Sequence, residues 1–138
     1  MTRVLFLCTG NSARSQIAEA LLRRIAGAQL SVASAGTEPV AVHPLTIEVL
    51  AERGIDARDA TSDHVDRYVD EGWDYVITVC DRAAESCPTF HGGTERRHWS
   101  FPDPAAAGGD RRQAFRDVRD AMERRIEAFA EAVVREAN

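Results

Sequence analysis

The sequence predicts an α/β domain in which a four-stranded parallel sheet, ordered 2-1-3-4, forms the middle of a three-layer sandwich flanked by helices. Three observations carry this expectation. Short apolar runs without polar alternation take turns with helical periodicity along the chain, the pattern of strands buried on both faces and joined by crossover helices. Glycines close the first two helical stretches, at Gly27 and Gly54. The 138 residues, 44% hydrophobic and 28% charged, suit one domain, 1–138, built around one core.

The elements follow in order. RVLFL (3–7) reads as the first strand. ARSQIAEALLRRIA (13–26) places Ile17, Leu21 and Ile25 four residues apart on one helix face. LSVASAG (30–36) reads as the second strand and HPLTIEVLAERG (43–54) as the second helix. TSD opens a short helix over 61–71, capped by Thr61 or Ser62. DYVITVC (74–80) is the third strand and RHWSF (97–101) a weaker fourth. PAAAGGD (104–110) is the loosest stretch. From Asp110 onward, Phe115, Val118, Met122, Ile126, Phe129 and Val133 recur at helical steps, a long amphipathic helix with an arginine- and glutamate-rich outer face.

The net charge of −5 argues against wholesale binding to nucleic acid. All 17 basic residues are arginine, which reads as codon bias. The apolar run near the N-terminus is too short for a signal sequence or a membrane span, so the expected setting is the cytoplasm without membrane contact. There, three cysteines are either inert core thiols or reactive ones. Cys8 ends the first strand and Cys80 the third, so both lie on the carboxyl edge of the sheet, where such folds bind ligands.

Between the first strand and the first helix runs Cys8-Thr9-Gly10-Asn11-Ser12-Ala13-Arg14. Small residues let the backbone curl until successive N–H groups face one concavity, a nest for a tetrahedral oxyanion at a helix N-terminus. Arg14 adds a planar, permanently charged fork suited to paired oxyanion oxygens. A cysteine in that field is expected to ionise near neutrality, and Ser15 could donate a hydrogen bond to its thiolate. The bland alternative, a buried Cys8 beside a helix-initiating Arg14, does not account for the Cys-x5-Arg-Ser spacing at a strand–loop–helix junction. Cys8 therefore reads as a nucleophile and Arg14 as the holder of the anion that it attacks.

These motifs resemble the low-molecular-weight protein tyrosine phosphatase fold family, and within it the thioredoxin-coupled arsenate reductases. The resemblance covers essentially the whole chain: VLFLCTGNSARSQIAEALL, SAGTEP, TSD, CDRAAESCP and RRHWSFPDPA stand where that family has its motifs. It implies that Asp103, in the FPDPA turn, is the general acid that protonates the departing oxygen; on the residues alone, simple Asp-Pro turn chemistry is the other reading. It further implies a relay of thiols. Cys8 attacks arsenate, Cys80 attacks Cys8 and releases arsenite, Cys87 attacks Cys80, and thioredoxin reduces the resulting Cys80–Cys87 disulfide. If 81–87 is helical, residues seven apart lie about 10 Å apart along its axis. A disulfide tolerates only about 4.4–6.8 Å between Cα atoms. The segment is therefore expected to be at least partly helical when reduced and to loop out when oxidised. On the residues alone Cys80 could be core, whereas Cys87, between Ser86 and Pro88, does not look like core.

No large exposed apolar stripe asks for a partner, so a monomer is expected, with no tightly bound cofactor. The resemblance also implies that Asn11, Glu19, Ser34, Thr61 and Asp63 can hold a potassium ion beside the anion loop. The four histidines, at 43, 64, 91 and 98, match no metal-ligand spacing, and His98 beside Trp99 reads as structural. Two rivals remain: a tyrosine phosphatase using Cys8, Arg14 and Asp103, and a non-enzymatic oxyanion or thiol sensor. Alanines 105–107 follow the Asp-Pro motif where such phosphatases usually carry an aromatic platform, and a sensor has no need of Asp103 or the cysteine pair. A reductase fed by a small thiol and a glutaredoxin could likewise dispense with that pair.

Overall fold

A computed structural model describes residues 1–90 and 92–137. Four strands, β1 (Thr2–Cys8), β2 (Leu30–Gly36), β3 (Tyr75–Thr78) and β4 (Glu95–His98), form one parallel sheet in the order β2-β1-β3-β4. The helices are α1 (Arg14–Ala26), α2 (Pro44–Ala51), α3 (Asp81–Glu85) and α4 (Arg111–Ala137). The register sets Cys8 beside Gly36 on one side and Leu7 beside Thr78 on the other, so the ends of β1 and β3 are neighbours. Both faces of the sheet are covered. Val4, Phe6 and Ile77 pack with Ile17, Leu21, Met122 and Ile126 from α1 and α4. Leu5, Leu7 and Val76 pack with Val65 and Trp73.

Several local expectations move. The short helix over 61–71 reduces to a single 3-10 turn, Val65–Arg67, capped by His64 rather than by Thr61 or Ser62. Residues 62 and 63 are committed elsewhere: the Ser62 hydroxyl donates to the Asn11 carbonyl, and the Asp63 carbonyl accepts from the Gly36 N–H. A helix cannot start through backbone that is already spent on another segment. The fourth strand lies two residues earlier than its apolar pattern indicated, because backbone pairing to β3 selects the polar ERRH and Trp99 turns into the core. Ile25 points away from the core and is 40% exposed; Ala18 and Leu22 complete the inner face of α1 instead. In the stretch expected to be loosest, Pro104–Ala106 form a 3-10 turn with Pro104 buried. His91 lies outside the described residues, and no described helix is long and apolar enough to cross a membrane.

Candidate active site

The loop after β1 is shaped by its carbonyls. Those of Cys8, Thr9 and Gly10 accept from the N–H groups of Thr37, Glu38 and Val40. The Asn11 carbonyl accepts from the Gln16 side chain and the Ser62 hydroxyl, and the Ser12 carbonyl from the His43 N–H and the Thr46 hydroxyl. Five successive carbonyls are thereby turned outward. In a trans peptide the N–H points opposite to the C=O, so the amides that follow face the concavity. This is the oxyanion nest that the small residues predict. The single left-handed residue in the loop is Asn11, at φ 49°, not Gly10. The glycine that the nest requires is Gly36, on the neighbouring strand: a Cβ there would meet the Thr9 carbonyl at 2.6 Å and the Asn11 nitrogen at 2.9 Å.

Asn11 is fully buried and makes its left-handed turn worthwhile through its side chain. Its Nδ2 donates to Ser15 Oγ at 2.8 Å and to Ser34 Oγ at 2.9 Å, while its Oδ1 accepts from the Asp63 N–H at 3.0 Å. Ser15 Oγ then donates to Cys8 Sγ at 3.1 Å. Arg14 leads α1 and spans the cleft, donating to the Phe101 carbonyl at 3.0 Å and standing 4.0 Å from the Asp103 carboxylate. Asp103 accepts from the Ala105 N–H at 3.0 Å, which makes it the cap of the Pro104–Ala106 turn and fixes it at the mouth. The cleft has a volume of about 1040 Å³, and its walls include Cys8, Arg14, Cys80 and Asp103.

The decisive contact is between two thiols at the carboxyl edge of the sheet, Cys8 at the end of β1 and Cys80 at the start of α3. Cys8 and Cys80 are hydrogen-bonded to each other, and Thr9 Oγ1 lies 3.4 Å from Cys80 Sγ. Each sulfur shifts the ionisation of the other, in opposite directions. Cys80 is pulled down to about 5 by the hydrogen bond from Cys8, then by the Thr9 hydroxyl, the Ala83 amide and the charge of Arg14. Cys8, expected to be the lowered thiol, is pushed up by its bond to Cys80 and by burial, against the opposing pull of Ser15. Two thiols in contact lose their protons in two steps that belong to the pair: the first becomes easy and the second hard. The expected thiolate is thus present at neutral pH, but it is shared rather than confined to Cys8.

The low molecular weight phosphotyrosine protein phosphatase profile matches residues 3–138. This chain belongs to that family. Its relatives there include the arsenate reductase of Halalkalibacterium halodurans, 43% identical over 131 residues that span 93% of this chain and 94% of the relative. The arsenate reductase of Bacillus subtilis is 40% identical over 131 residues, with the same coverage. Among solved structures, an arsenate reductase in the oxidised state superposes with a TM-score of 0.84 at 29% identity, over 96% of this chain and 99% of the other. The thioredoxin-dependent arsenate reductase of Corynebacterium glutamicum gives a TM-score of 0.77 at 32% identity, over all of this chain and 64% of that one.

Against the family's fold, the other predicted site residues are readily placed. Cys87 follows α3 and is half-buried against the cluster of Leu5, Leu7, Val65 and Trp73, contrary to its polar neighbours in sequence. Burial pushes its thiol up. All three cysteines are free, and residues 81–85 are helical, the expectation for a reduced chain. Asn11, Glu19, Ser34, Thr61 and Asp63 converge behind the nest. Ser34 Oγ donates to Glu19 at 2.5 Å, and Thr61 Oγ1 donates to Asp63 at 3.4 Å. Burial pushes the Glu19 carboxyl up, with Asp63 adding to the effect, while Arg23 at 3.1 Å opposes it. Neither tyrosine reaches the cleft: Tyr68 meets Trp73 edge-on, and Tyr75 meets Phe129. Sequence reasoning missed Glu38 and Arg82, which form a 3.0 Å ion pair on the rim, and the second role of Thr9 toward Cys80. Only the spatial nearness of α3 to the segments that follow β1 and β2 reveals these.

Proposed function

We propose that this chain reduces arsenate to arsenite through Cys8, Cys80 and Cys87, with thioredoxin as electron donor. The observation that carries the reading is the second thiol: Cys80 stands in hydrogen-bond contact with the nucleophile at the mouth of an oxyanion nest. A hydrolase needs no thiol there, whereas a reductase needs one for the two electrons that arsenic must accept.

The chemistry follows from the geometry. The backbone amides of residues 9–13 and the Arg14 fork hold the arsenate oxygens. Anion binding draws the remaining proton onto Cys80, leaving Cys8 as the thiolate. Cys8 Sγ attacks arsenic, and Asp103 gives its proton to the departing oxygen, which leaves as water. Cys80 gives its proton to an oxygen of the arsenic group and attacks Cys8 Sγ as a thiolate. The S–As bond breaks and its electron pair stays on arsenic, so arsenic(V) becomes arsenic(III) while two cysteines become a disulfide. Cys87 as thiolate then attacks Cys80 Sγ, and Cys8 leaves as thiolate. A thioredoxin dithiol reduces the Cys80–Cys87 bond. Ser15 assists by donating to Cys8 whenever that sulfur carries charge.

Asn11, Glu19, Ser34, Thr61 and Asp63 are linked in one hydrogen-bonded chain, Asn11 to Ser34 and Asp63, Ser34 to Glu19 and Thr61 to Asp63, and their amide, hydroxyl and carboxylate oxygens are of the hard kind that would suit potassium. The ion would neutralise the crowded Glu19 and Asp63 carboxylates and stiffen Asn11. We further propose that the chain works as a monomer in a reducing cytoplasm. Among the described residues the exposed large apolar side chains are Met1, Ile25 and Val40, too few for a subunit interface.

The test is NADPH oxidation with arsenate, thioredoxin and thioredoxin reductase. Sustained turnover by the wild type and at most one turnover by Cys87→Ser support the relay. Absence of turnover, together with brisk hydrolysis of an aryl phosphate, would replace it with the phosphatase reading.

A further inference from the structure

Helix α3 separates Cys80 from Cys87, and its unwinding is what the second disulfide requires. The described contacts that tie its polar side chains down crowd its first two residues. Asp81 Oδ1 meets His98 Nε2 at 2.8 Å and accepts from Ser100 Oγ at 3.1 Å. His98 is itself oriented from behind, its Nδ1 lying 2.7 Å from Thr78 Oγ1. Arg82 reaches Glu38 at 3.0 Å across the cleft. Thr78 and His98 face each other in the β3–β4 register, so through His98 Asp81 is tied to the sheet edge, and through Ser100 to the segment just after β4. At the other end Cys87 rests half-buried against the apolar cluster, where burial keeps it a thiol.

We propose that Asp81, held by His98 and Ser100, is a positioning residue that clamps the first turn of α3 and sets the rate at which the Cys8–Cys80 disulfide passes to Cys80–Cys87. The inference rests on the relay above. The clamp keeps Cys80 against Cys8 during arsenite release and holds Cys87 back in its apolar seat. When the clamp lets go, α3 unwinds, Cys87 leaves the cluster and ionises, its sulfur bonds to Cys80, and Cys8 departs as thiolate with the electron pair of the old bond. No electron enters or leaves in this step. Early release would let Cys87 compete before arsenic has left.

The experiment is a single turnover of the reduced protein with arsenate, quenched in acid and alkylated. Arsenite is measured on one channel and the two disulfides are resolved by mass on the other. Asp81→Ala raises the ratio of the Cys80–Cys87 formation rate to the arsenite release rate about two- to fivefold, the range expected for one exposed ion-paired contact. Asp81→Asn, which keeps a hydrogen bond to Ser100 or His98, gives an intermediate ratio, and His98→Gln behaves like Asp81→Ala if it acts through the aspartate. Amide exchange at Ala84, Glu85 and Ser86 in the reduced protein rises in parallel, a readout that does not depend on arsenate. Equal ratios and equal exchange across these variants would overturn the clamp. Absence of arsenite from the wild type would overturn the relay instead, and amide exchange would still decide whether Asp81 holds the helix.

Discussion

The oxyanion loop, 8–14, and the redox segment, 80–88, sit side by side at one sheet edge and are built on opposite plans. In the loop, five consecutive carbonyls are each taken by a donor from outside it, and the side chain of Asn11 is fully buried. In the segment, a five-residue helix hangs from exposed side-chain contacts at one end and a half-buried thiol at the other. Buried backbone bonds are costly to break, whereas exposed ion pairs contribute about 0–1 kcal/mol each. The contrast follows the chemistry. An oxyanion site gains from dipoles fixed before the anion arrives, and a disulfide relay needs a part that moves.

The comparison breaks most severely at Arg14. Arg14→Lys keeps the charge and loses the planar fork, and kcat/KM for arsenate is expected to fall by about two to three powers of ten. A fall of less than about threefold in steady-state kinetics would show that the backbone nest alone holds the anion. Next is the scaffold. Gly36→Ala places a methyl against the Thr9 carbonyl, and urea unfolding is expected to show a loss of about 1–3 kcal/mol. Since the strain falls on the loop, anion affinity drops as well, whereas an equal loss from a distant core site leaves affinity intact.

The third measurement sharpens the electrostatic side. Thiolate absorbance of the reduced wild type is expected to rise with a midpoint near pH 5, the value to which Cys80 is lowered. In Cys8→Ala the midpoint moves up toward the ordinary cysteine range, because the largest of the lowering contacts is gone. The sign carries into stability. Between about pH 5 and 9 the folded pair has released one proton that the unfolded chain keeps, so the reduced protein gains stability as pH rises through that window. Above it the unfolded chain gives up the proton that the folded Cys8 retains, and stability falls. A thermal melt series flat from pH 5 to 9 would contradict the coupled ionisation. The smallest effect belongs to Arg82→Ala. It removes an exposed pair and is expected to cost under about 1 kcal/mol in global stability, yet it raises amide exchange in α3 and leaves exchange in the oxyanion loop unchanged.

Much of this was legible in the amino-acid order, and the boundary has physical causes. Cys8, Arg14, Ser15 and the nest lie within eight consecutive residues, so their spacing carries the geometry. The strand order and the placing of Cys80 beside Cys8 follow from the doubly wound pattern, and the structure has both. What failed depended on partners distant in sequence. ERRH becomes a strand because β3 offers it a backbone ladder, although its side chains are polar. Residues 61–63 stay out of a helix because Asn11 and Gly36 claim their backbone and side chains. Cys87 has polar neighbours in sequence and apolar ones in space. The transfer of charge from Cys8 toward Cys80 needs the end of β1 and the start of α3 to meet, which no local motif encodes.

The donors that turn the first three loop carbonyls outward are main-chain N–H groups, those of Thr37, Glu38 and Val40. A side chain can be exchanged there without removing the hydrogen bond, because every residue type except proline carries the same N–H. The wall of the nest is therefore written in an alphabet of two letters, proline and everything else. Substitutions can accumulate along 37–40 while the oxyanion still meets the same cup, and a single proline at 37, 38 or 40 would open it.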